Sequence, residues 1–371
     1  MYRREFLSSG LATAGIVAMG TTPWAPALAA GDEGHRLTGP YTHRNLSIYL
    51  IHRLTYRRGR DAGTPPLTLD EAMRTGAIRV FETGNVGKLI VNNPGDRDIF
   101  IQAGDIVKGG KQDRVLTASM IVPPNSGDIP IGAFCVEQGR WGRRGSENVA
   151  KFSASTALIP FRTVKFAIMA QADRPQSGRG SPPAASRSLM VRRSRASGRQ
   201  ESVWRSVRTM QRRLSSSVNR QVADRRSRSS LQLSLESEDL ATALAGFGTS
   251  LGDLPTQHPD AVGFVFAVNG RINSGDEFES AGLFRKLWRR QLRAAATEAL
   301  AATAQMQPTP PTPPTPAEVA AFVGRAGAAA AVSKTMPGNM VLITRETATS
   351  LYTEARRGDG SWVHRRIISV E

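Results

Sequence analysis

An α+β fold, with an antiparallel β-rich, sandwich-like N-terminal half packed with helices and a C-terminal hairpin, is predicted by three observations. Apolar runs separated by turn residues succeed one another over residues 77–136, the pattern of a compact antiparallel β unit. Phe284, Leu287, Trp288, Leu292 and Ala295 recur at helical spacing within 283–299, which marks an amphipathic helix. The apolar run 262–268 leads directly into Asn269-Gly270, the strongest two-residue hairpin signal in the chain. With 371 residues, 40% hydrophobic and 22% charged, the chain has ample material for a real core.

The first residues read as a leader. Paired Arg3 and Arg4 precede Phe6, Leu7 and a mildly apolar stretch over 11–19, and Ala27-Leu28-Ala29 offers a small-x-small cleavage site. That arrangement resembles a bacterial twin-arginine signal peptide spanning 1–29, so the mature chain is expected to begin at Ala30 in the periplasm or outside the cell. No later stretch approaches the ~18 apolar residues that a membrane-spanning helix needs.

The elements of the mature chain follow in order. Residues 45–54 predict a strand, and Pro65-Pro66 introduces Thr68-Leu69-Asp70-Glu71, a capping box opening a short helix that stops at Gly76. Turns are expected at Thr83-Gly84-Asn85, Pro94-Gly95-Asp96, Ala103-Gly104-Asp105 and 123–128. Leu116, Ala118, Met120 and Val122 alternate with Thr117, Ser119 and Ile121, which predicts one strand over 116–122 with a single face on the core. The next strand is 129–137. A hairpin closing near Asn125 and Ser126 sets residues whose numbers sum to about 251 opposite each other, pairing Arg114 with Glu137 to within about two residues of register.

The stretch 173–200 is rich in Ser, Arg, Pro and Gly and reads as a mobile insertion. A basic helix carrying Val203, Trp204 and Val207 follows, then a helix over 237–251. Six prolines within 308–316 form a stiff spacer, an Ala-rich helix comes next, and strands are expected at 340–344, 350–356 and 361–370, the last two turning at Gly358-Asp359-Gly360. The resulting organisation is a leader at 1–29, a β-rich first half at 30–172, a basic Arg/Ser/Pro-rich insertion with a helix at 173–229, and an α+β second half of the same domain at 230–371 with a proline spacer at 307–316.

Charge and rare residues narrow the function. The formal charge is +18, and residues 174–228 hold 15 Arg, no Lys and only Glu201 and Asp224 as acids, hence +13. Such a stretch attracts acidic envelope polymers, lipid headgroups or nucleic acid through charge alone. Trp204 is its only aromatic residue, which argues against specific single-strand recognition. Cys135 is the only cysteine, so no internal disulfide forms, and its apolar surroundings in sequence predict an inert buried thiol. The five histidines His35, His43, His52, His258 and His364 are scattered without metal-ligand spacing. Gly104-Asp-Ile-Val-Lys-Gly-Gly110 lacks the Lys-Ser/Thr ending of a phosphate loop. Neither a metal nor any other cofactor is expected.

The candidate site is the open end of the 116–137 hairpin, which gathers Lys111, Gln112, Arg114, Glu137, Gln138, Arg140 and Trp141. These residues offer charge-assisted donors, an acceptor and a stacking surface, a set suited to a small anionic or sugar-like ligand. The alternative is structural: an Arg114–Glu137 cross-strand ion pair with Trp141 packed over the sheet. A third reading makes Glu137 a general acid or base of a hydrolase acting on a nucleotide- or sugar-derived substrate. A fourth makes the basic insertion an envelope scaffold.

Leu67-Thr-Leu-Asp-Glu-Ala72, Gly109-Gly-Lys-Gln-Asp-Arg114 and Cys135-Val-Glu-Gln-Gly-Arg-Trp141 resemble the ARG and Rhodanese-Phosphatase-superfamily-associated protein domain. Gln200 with Val203-Trp204, Val265-Phe-Ala-Val-Asn-Gly270 and Leu283-Phe-Arg-Lys-Leu-Trp288 resemble that family's second half. The resemblance covers most of the mature chain, with Glu-Gln-Gly-Arg-Trp its most specific element; the Arg-Ser-Pro stretch and the proline spacer depart from the family outline. It implies no defined activity. The family is named for its association with ADP-ribosylglycohydrolases and rhodanese-like phosphatases, which points by association toward nucleotide-derived metabolites.

Overall fold

Residues 34–54, 63–145, 151–172, 196–303 and 312–370 are described by the computed structural model. The expected leader at 1–29, the stretch 173–195 and much of the proline spacer lie outside them. Chain order runs β1 (His35–His43), β2 (Leu46–Arg53), β3 (Leu67–Thr68), α1 (Leu69–Thr75), β4 (Arg79–Glu82), β5 (Lys88–Asn92), β6 (Ile99–Ile101), β7 (Asp105–Gly109), β8 (Arg114–Leu116), β9 (Met120–Val122), β10 (Asp128–Cys135) and β11 (Phe152–Leu158). The helices α2 (Arg162–Ala172), α3 (Ala196–Val218), α4 (Leu231–Leu235), α5 (Glu238–Leu251) and α6 (Leu254–Gln257) follow. Then come β12 (Ala261–Val268), β13 (Arg271–Phe278), α7 (Ala281–Ala301), α8 (Pro316–Ala328), β14 (Ala331–Met336), β15 (Met340–Glu346), β16 (Ser350–Arg357) and β17 (Trp362–Ser369). This is an α+β architecture with a β-rich N-terminal half.

Local chemistry sets several boundaries where the sequence puts them. Thr68 accepts from the Glu71 N–H while Glu71 reaches back to the Thr68 N–H, and Gly76 ends α1 in the left-handed conformation at φ 75°, so both orphan ends of a short helix are satisfied. Asn269 and Gly270 take positive φ (49° and 73°) and join β12 to β13, the backbone twist that a tight hairpin requires.

Three sheets form. An eight-stranded sheet runs β1-β2-β12-β13-β17-β16-β15-β14, a six-stranded sheet runs β11-β7-β8-β10-β5-β4, and a small sheet runs β3-β6-β9. Pairing is antiparallel except between β3 and β6. β12 is buried along its whole length, as a central strand covered on both faces must be. Phe264 and Phe266 stack on each other, Phe284 stacks with Phe264 and Phe278, and Trp288 of α7 meets Phe264 and Phe284 edge-on with ring centroids 5.4 Å apart. Tyr49, Val265 and Ala267 point the other way, into a smaller cluster with Val319 of α8. Within the basic stretch, α3 buries Val203, Val207, Met210 and Leu214 in the principal core.

Two expectations are corrected. Residues 116–122 are not one strand: the chain breaks at Thr117–Ser119, and β9 leaves to pair with β6 while β8 pairs with β7 and β10. Thr117 still follows the β8–β10 register through its N–H on Gly132 O at 3.0 Å; beyond it, the Ser119 hydroxyl turns inward to accept from Ala103 N–H at 2.9 Å. The register also shifts by two, so Cys135, not Glu137, lies opposite Arg114. In addition, β1 and β14 are edge strands, one arising from the polar lead before Asn45 and the other from the stretch preceding Met340.

Candidate functional site

The loops after β7 and after β10 meet at one end of the six-stranded sheet. Gly109 and Gly110 take positive φ (106° and 54°) between β7 and β8. A Cβ on Gly110 would stand 2.4 Å from the Phe152 ring and 2.9 Å from Glu82, so only glycine lets this turn approach so closely. Past β10, the Val136 N–H donates to Asp113 O at 3.1 Å and the Asp113 N–H to Glu137 Oε2 at 3.1 Å. These bonds bring the two polar clusters side by side.

A buried ion network fills the junction. Glu137 is fully buried, and its Oε2 meets Arg140 Nη2 at 2.7 Å while its Oε1 meets Arg144 Nη1 at 3.4 Å. Arg144 grips Asp113 with both terminal nitrogens, at 2.7 and 3.1 Å, the bidentate geometry that favours arginine. Arg140 also donates to the carbonyls of Gly109 and Gly110 at 3.2 and 3.1 Å, stapling the glycine turn. Arg114, wholly buried, reaches Glu82 at 3.4 Å, Gln112 Oε1 at 3.0 Å and Cys135 Sγ at 2.7 Å. Burial pushes the Cys135 thiol up to about 11, against the pull of Arg114. Three guanidinium groups thus face the three carboxylates Glu82, Asp113 and Glu137, and the interior of the network is neutral.

The solvent face differs in character. Trp141 is 50% exposed, with Lys111 Nζ 5.2 Å and the Arg114 guanidinium 5.7 Å from its ring centre, within cation–π range. Gln138 is exposed and turns toward α3, where Arg208 donates to its side chain, while Ser229, just before α4, donates to its carbonyl. Exposed Arg143 stands on the same loop. Of the residues expected at the hairpin end, Gln112, Arg114, Glu137 and Arg140 are therefore framework, whereas Lys111, Gln138 and Trp141 reach the rim. Glu82, Asp113, Arg144 and Arg208 were not anticipated. Asp113 and Arg144 lie within or beside the same two motifs, but Glu82 and Arg208 come from distant elements and carry no local signal.

The family model for the ARG and Rhodanese-Phosphatase-superfamily-associated Protein domain matches residues 34–368. The chain belongs to this family. No curated protein and no solved structure matches it. The family match opens just before β1 and ends inside β17, so it takes in both loops of the site and the core helix α3.

A second polar cluster lies deep between the eight-stranded sheet and α7. Ser119 Oγ stands 2.9 Å from His364 Nδ1, and His364 Nε2 stands 2.9 Å from Asp276 Oδ1. The spacing is that of a hydroxyl–imidazole–carboxylate relay. Ser119, His364 and Asp276 are nonetheless buried, and the imidazole is flanked by Phe100 and Phe278 at 5.9 and 5.0 Å. Burial pushes His364 below its ordinary range, so the neutral ring accepts from Ser119 and donates to Asp276. Burial would raise the Asp276 carboxyl, but Arg366 and His364 outweigh it and hold it well below the usual range. The relay is a buried hydrogen-bond chain that ties β17 and β13 to the β8–β9 break, with Asp276 Oδ2 left without a hydrogen-bond partner among the described residues. Among the described residues, no group of three or more His, Cys, Asp or Glu is arranged to hold a metal ion.

Proposed function

We propose that this protein is exported and binds a small polar or anionic ligand on the rim formed by Trp141, Lys111 and Gln138. The observation that carries the reading is the half-exposed Trp141 ring with Lys111 and Arg114 near its face, a platform for a flat or sugar-like group beside a cation. The neutral network of Glu82, Asp113, Glu137, Arg114, Arg140 and Arg144 beneath it supports a fixed geometry, which lowers the ordering cost of binding. Exposed Arg205, Arg208 and Arg212 along α3 extend the cationic surface and favour anionic partners, acidic envelope polymers included. Glu137, with both oxygens engaged by arginines, acts as a buttress rather than an acid or base. Export rests on Arg3, Arg4 and the Ala27-Leu28-Ala29 site in the leader.

The test is a thermal-shift screen of the chain from Ala30 against ADP-ribose, ATP and acidic oligosaccharides. A binder at 100 times its Kd stabilises by about 2.7 kcal/mol. The rise is expected to disappear in Trp141→Ala and Lys111→Ala, since Trp141 is half-exposed and Lys111 partly exposed and neither truncation opens the buried ion network. A ligand-dependent rise unchanged in both variants, or no rise with any probe, overturns the reading.

A further inference from the structure

Away from the site just described, α5 and α7 border an open cleft of about 920 Å³, at the upper end of the range typical of small-molecule sites. Its three surfaces differ in chemistry. Lys286, Arg289, Arg290 and Arg293 of α7 follow one another at i, i+3, i+4 and i+7 and all line it, so one helix face presents a cationic wall. Leu244, Phe247 and Leu292 give an apolar floor, and Ala241, Ala245 and Gly248 of α5 give a wall of small side chains. A Cβ built on Gly248 meets nothing within 4 Å, so the space beside α5 is open rather than filled by a neighbour.

The cations are unevenly matched. Lys286 meets Glu71 at 3.0 Å and Arg290 meets Asp105 at 2.8 Å. Among the described residues, no carboxylate lies within ion-pair distance of Arg289 or Arg293; Arg293 donates to the carbonyl of Leu235 at 2.7 Å. The Nε of Arg290, a buried atom of the cationic wall, has no hydrogen-bond partner. Among the described residues, Asp70 and Asp253 are the only acids of the lining, against five cations once Arg74 is counted, and Asp70 is already paired with Arg74 at 3.2 Å. An apolar floor beside surplus guanidinium groups is complementary to a molecule with one anionic end and an apolar body.

We propose that the cleft between α5 and α7 binds a single-chain anionic amphiphile of the fatty-acid type, its carboxylate on Arg289 and Arg293 and its chain on Leu244, Phe247 and Leu292. The small wall at Ala241, Ala245 and Gly248 leaves the width for an alkyl chain. A compact inorganic anion would leave the floor wet, and an uncharged chain would leave the guanidinium groups unmatched.

Isothermal calorimetry on the chain from Ala30 tests this, with laurate below its micelle concentration as the probe. Laurate is expected to bind, whereas acetate, which lacks the chain, and dodecyl maltoside, which lacks the charge, bind at least tenfold more weakly. Dodecyl phosphate separates a general anion site from a carboxylate site. Gly248→Leu places a side chain in the open space and should abolish laurate binding with an unchanged or raised unfolding midpoint, since leucine favours a helix more than glycine does. The pair of exposed Arg289→Gln and half-buried Arg293→Gln should weaken laurate at least tenfold and serves on its own if the first variant folds poorly. Absence of laurate binding, equal binding of acetate or dodecyl maltoside, or laurate affinity unmoved in the two variants overturns the proposal.

Discussion

Cys135 and Arg114 face each other across β10 and β8 with Sγ and Nη1 2.7 Å apart, and the thiol is 1% exposed with its ionisation pushed up to about 11 by burial. A group so buried and so weakly acidic is a poor nucleophile at neutral pH. Ellman's reagent should therefore fail to titrate Cys135 in the native protein and titrate one equivalent in guanidinium; rapid native reaction would contradict the burial. Glu137 invites a harsher test. Glu137→Gln leaves Arg140 and Arg144 under-compensated in a dry setting, a loss expected to cost about 3 kcal/mol by urea unfolding. A loss under 1 kcal/mol would show that the network tolerates the missing charge. The sequence showed that the two motif loops gather here, because both are local runs of polar residues, but it did not show that Glu82 from β4 joins them. It did not show how they pair. Cys135 rather than Glu137 is the neighbour of Arg114, and the break at Thr117–Ser119, which the apolar alternation at 116–122 conceals, sends β9 to β6 instead of extending the hairpin.

Helix ends were the most legible elements, since their signals are written within four residues of one another. Thr68 and Glu71 form the expected capping box, and Ser237 caps α5 by accepting from the Leu240 N–H. Thr68→Ala should cost about 1 kcal/mol, measured as a lowered urea midpoint with unchanged slope; an unchanged midpoint would mean that tertiary packing alone fixes α1. The stripe on α7 was equally readable, because one side of the helix carries nearly all its large apolar groups. Edge strands were not. β14 is exposed over most of its length and β1 alternates weakly, so neither carries the periodicity by which a half-buried strand is recognised. The basic stretch shows the opposite difficulty. Its arginines draw attention to solvent, yet α3 sends Val203, Val207, Met210 and Leu214 into the principal core. Excising 196–218 is accordingly expected to abolish cooperative unfolding, as followed by circular dichroism. A shortened chain that still melts in one sharp transition would make α3 an appendage.

Buried charge makes the stability of the molecule as a whole depend on pH. Burial would raise the Glu277 carboxyl, but Arg365 and His35 outweigh it and hold it at about 2, against an ordinary 4.5. Its contribution, about 3 kcal/mol, is complete above pH 4.5 and is lost as pH falls toward 2. Asp276 behaves in the same direction. His364, pushed below 6.5 by burial, stays neutral in the folded protein while the unfolded chain takes up a proton, so it favours folding above pH 6.5 and opposes it below. The melting temperature should thus begin to fall near pH 6.5 and drop more steeply below 4.5; a flat profile from pH 7 to 4 would contradict this arrangement. None of these partnerships is visible in the sequence. His35–Glu277 and His364–Asp276 join positions far apart in the chain, and only the assembled sheet brings them together.

The order of the eight-stranded sheet has one further consequence. β2 is flanked by β1, which is made just before it, and by β12, which begins only at residue 261. While a ribosome is still working through the intervening stretch, one side of a strand rich in Leu46, Ile48, Leu50 and Ile51 has no neighbour to bond. Nascent or prematurely terminated chains of this protein therefore carry a sticky ribbon, and holding it apart from its copies until synthesis is nearly done becomes a task for chaperones.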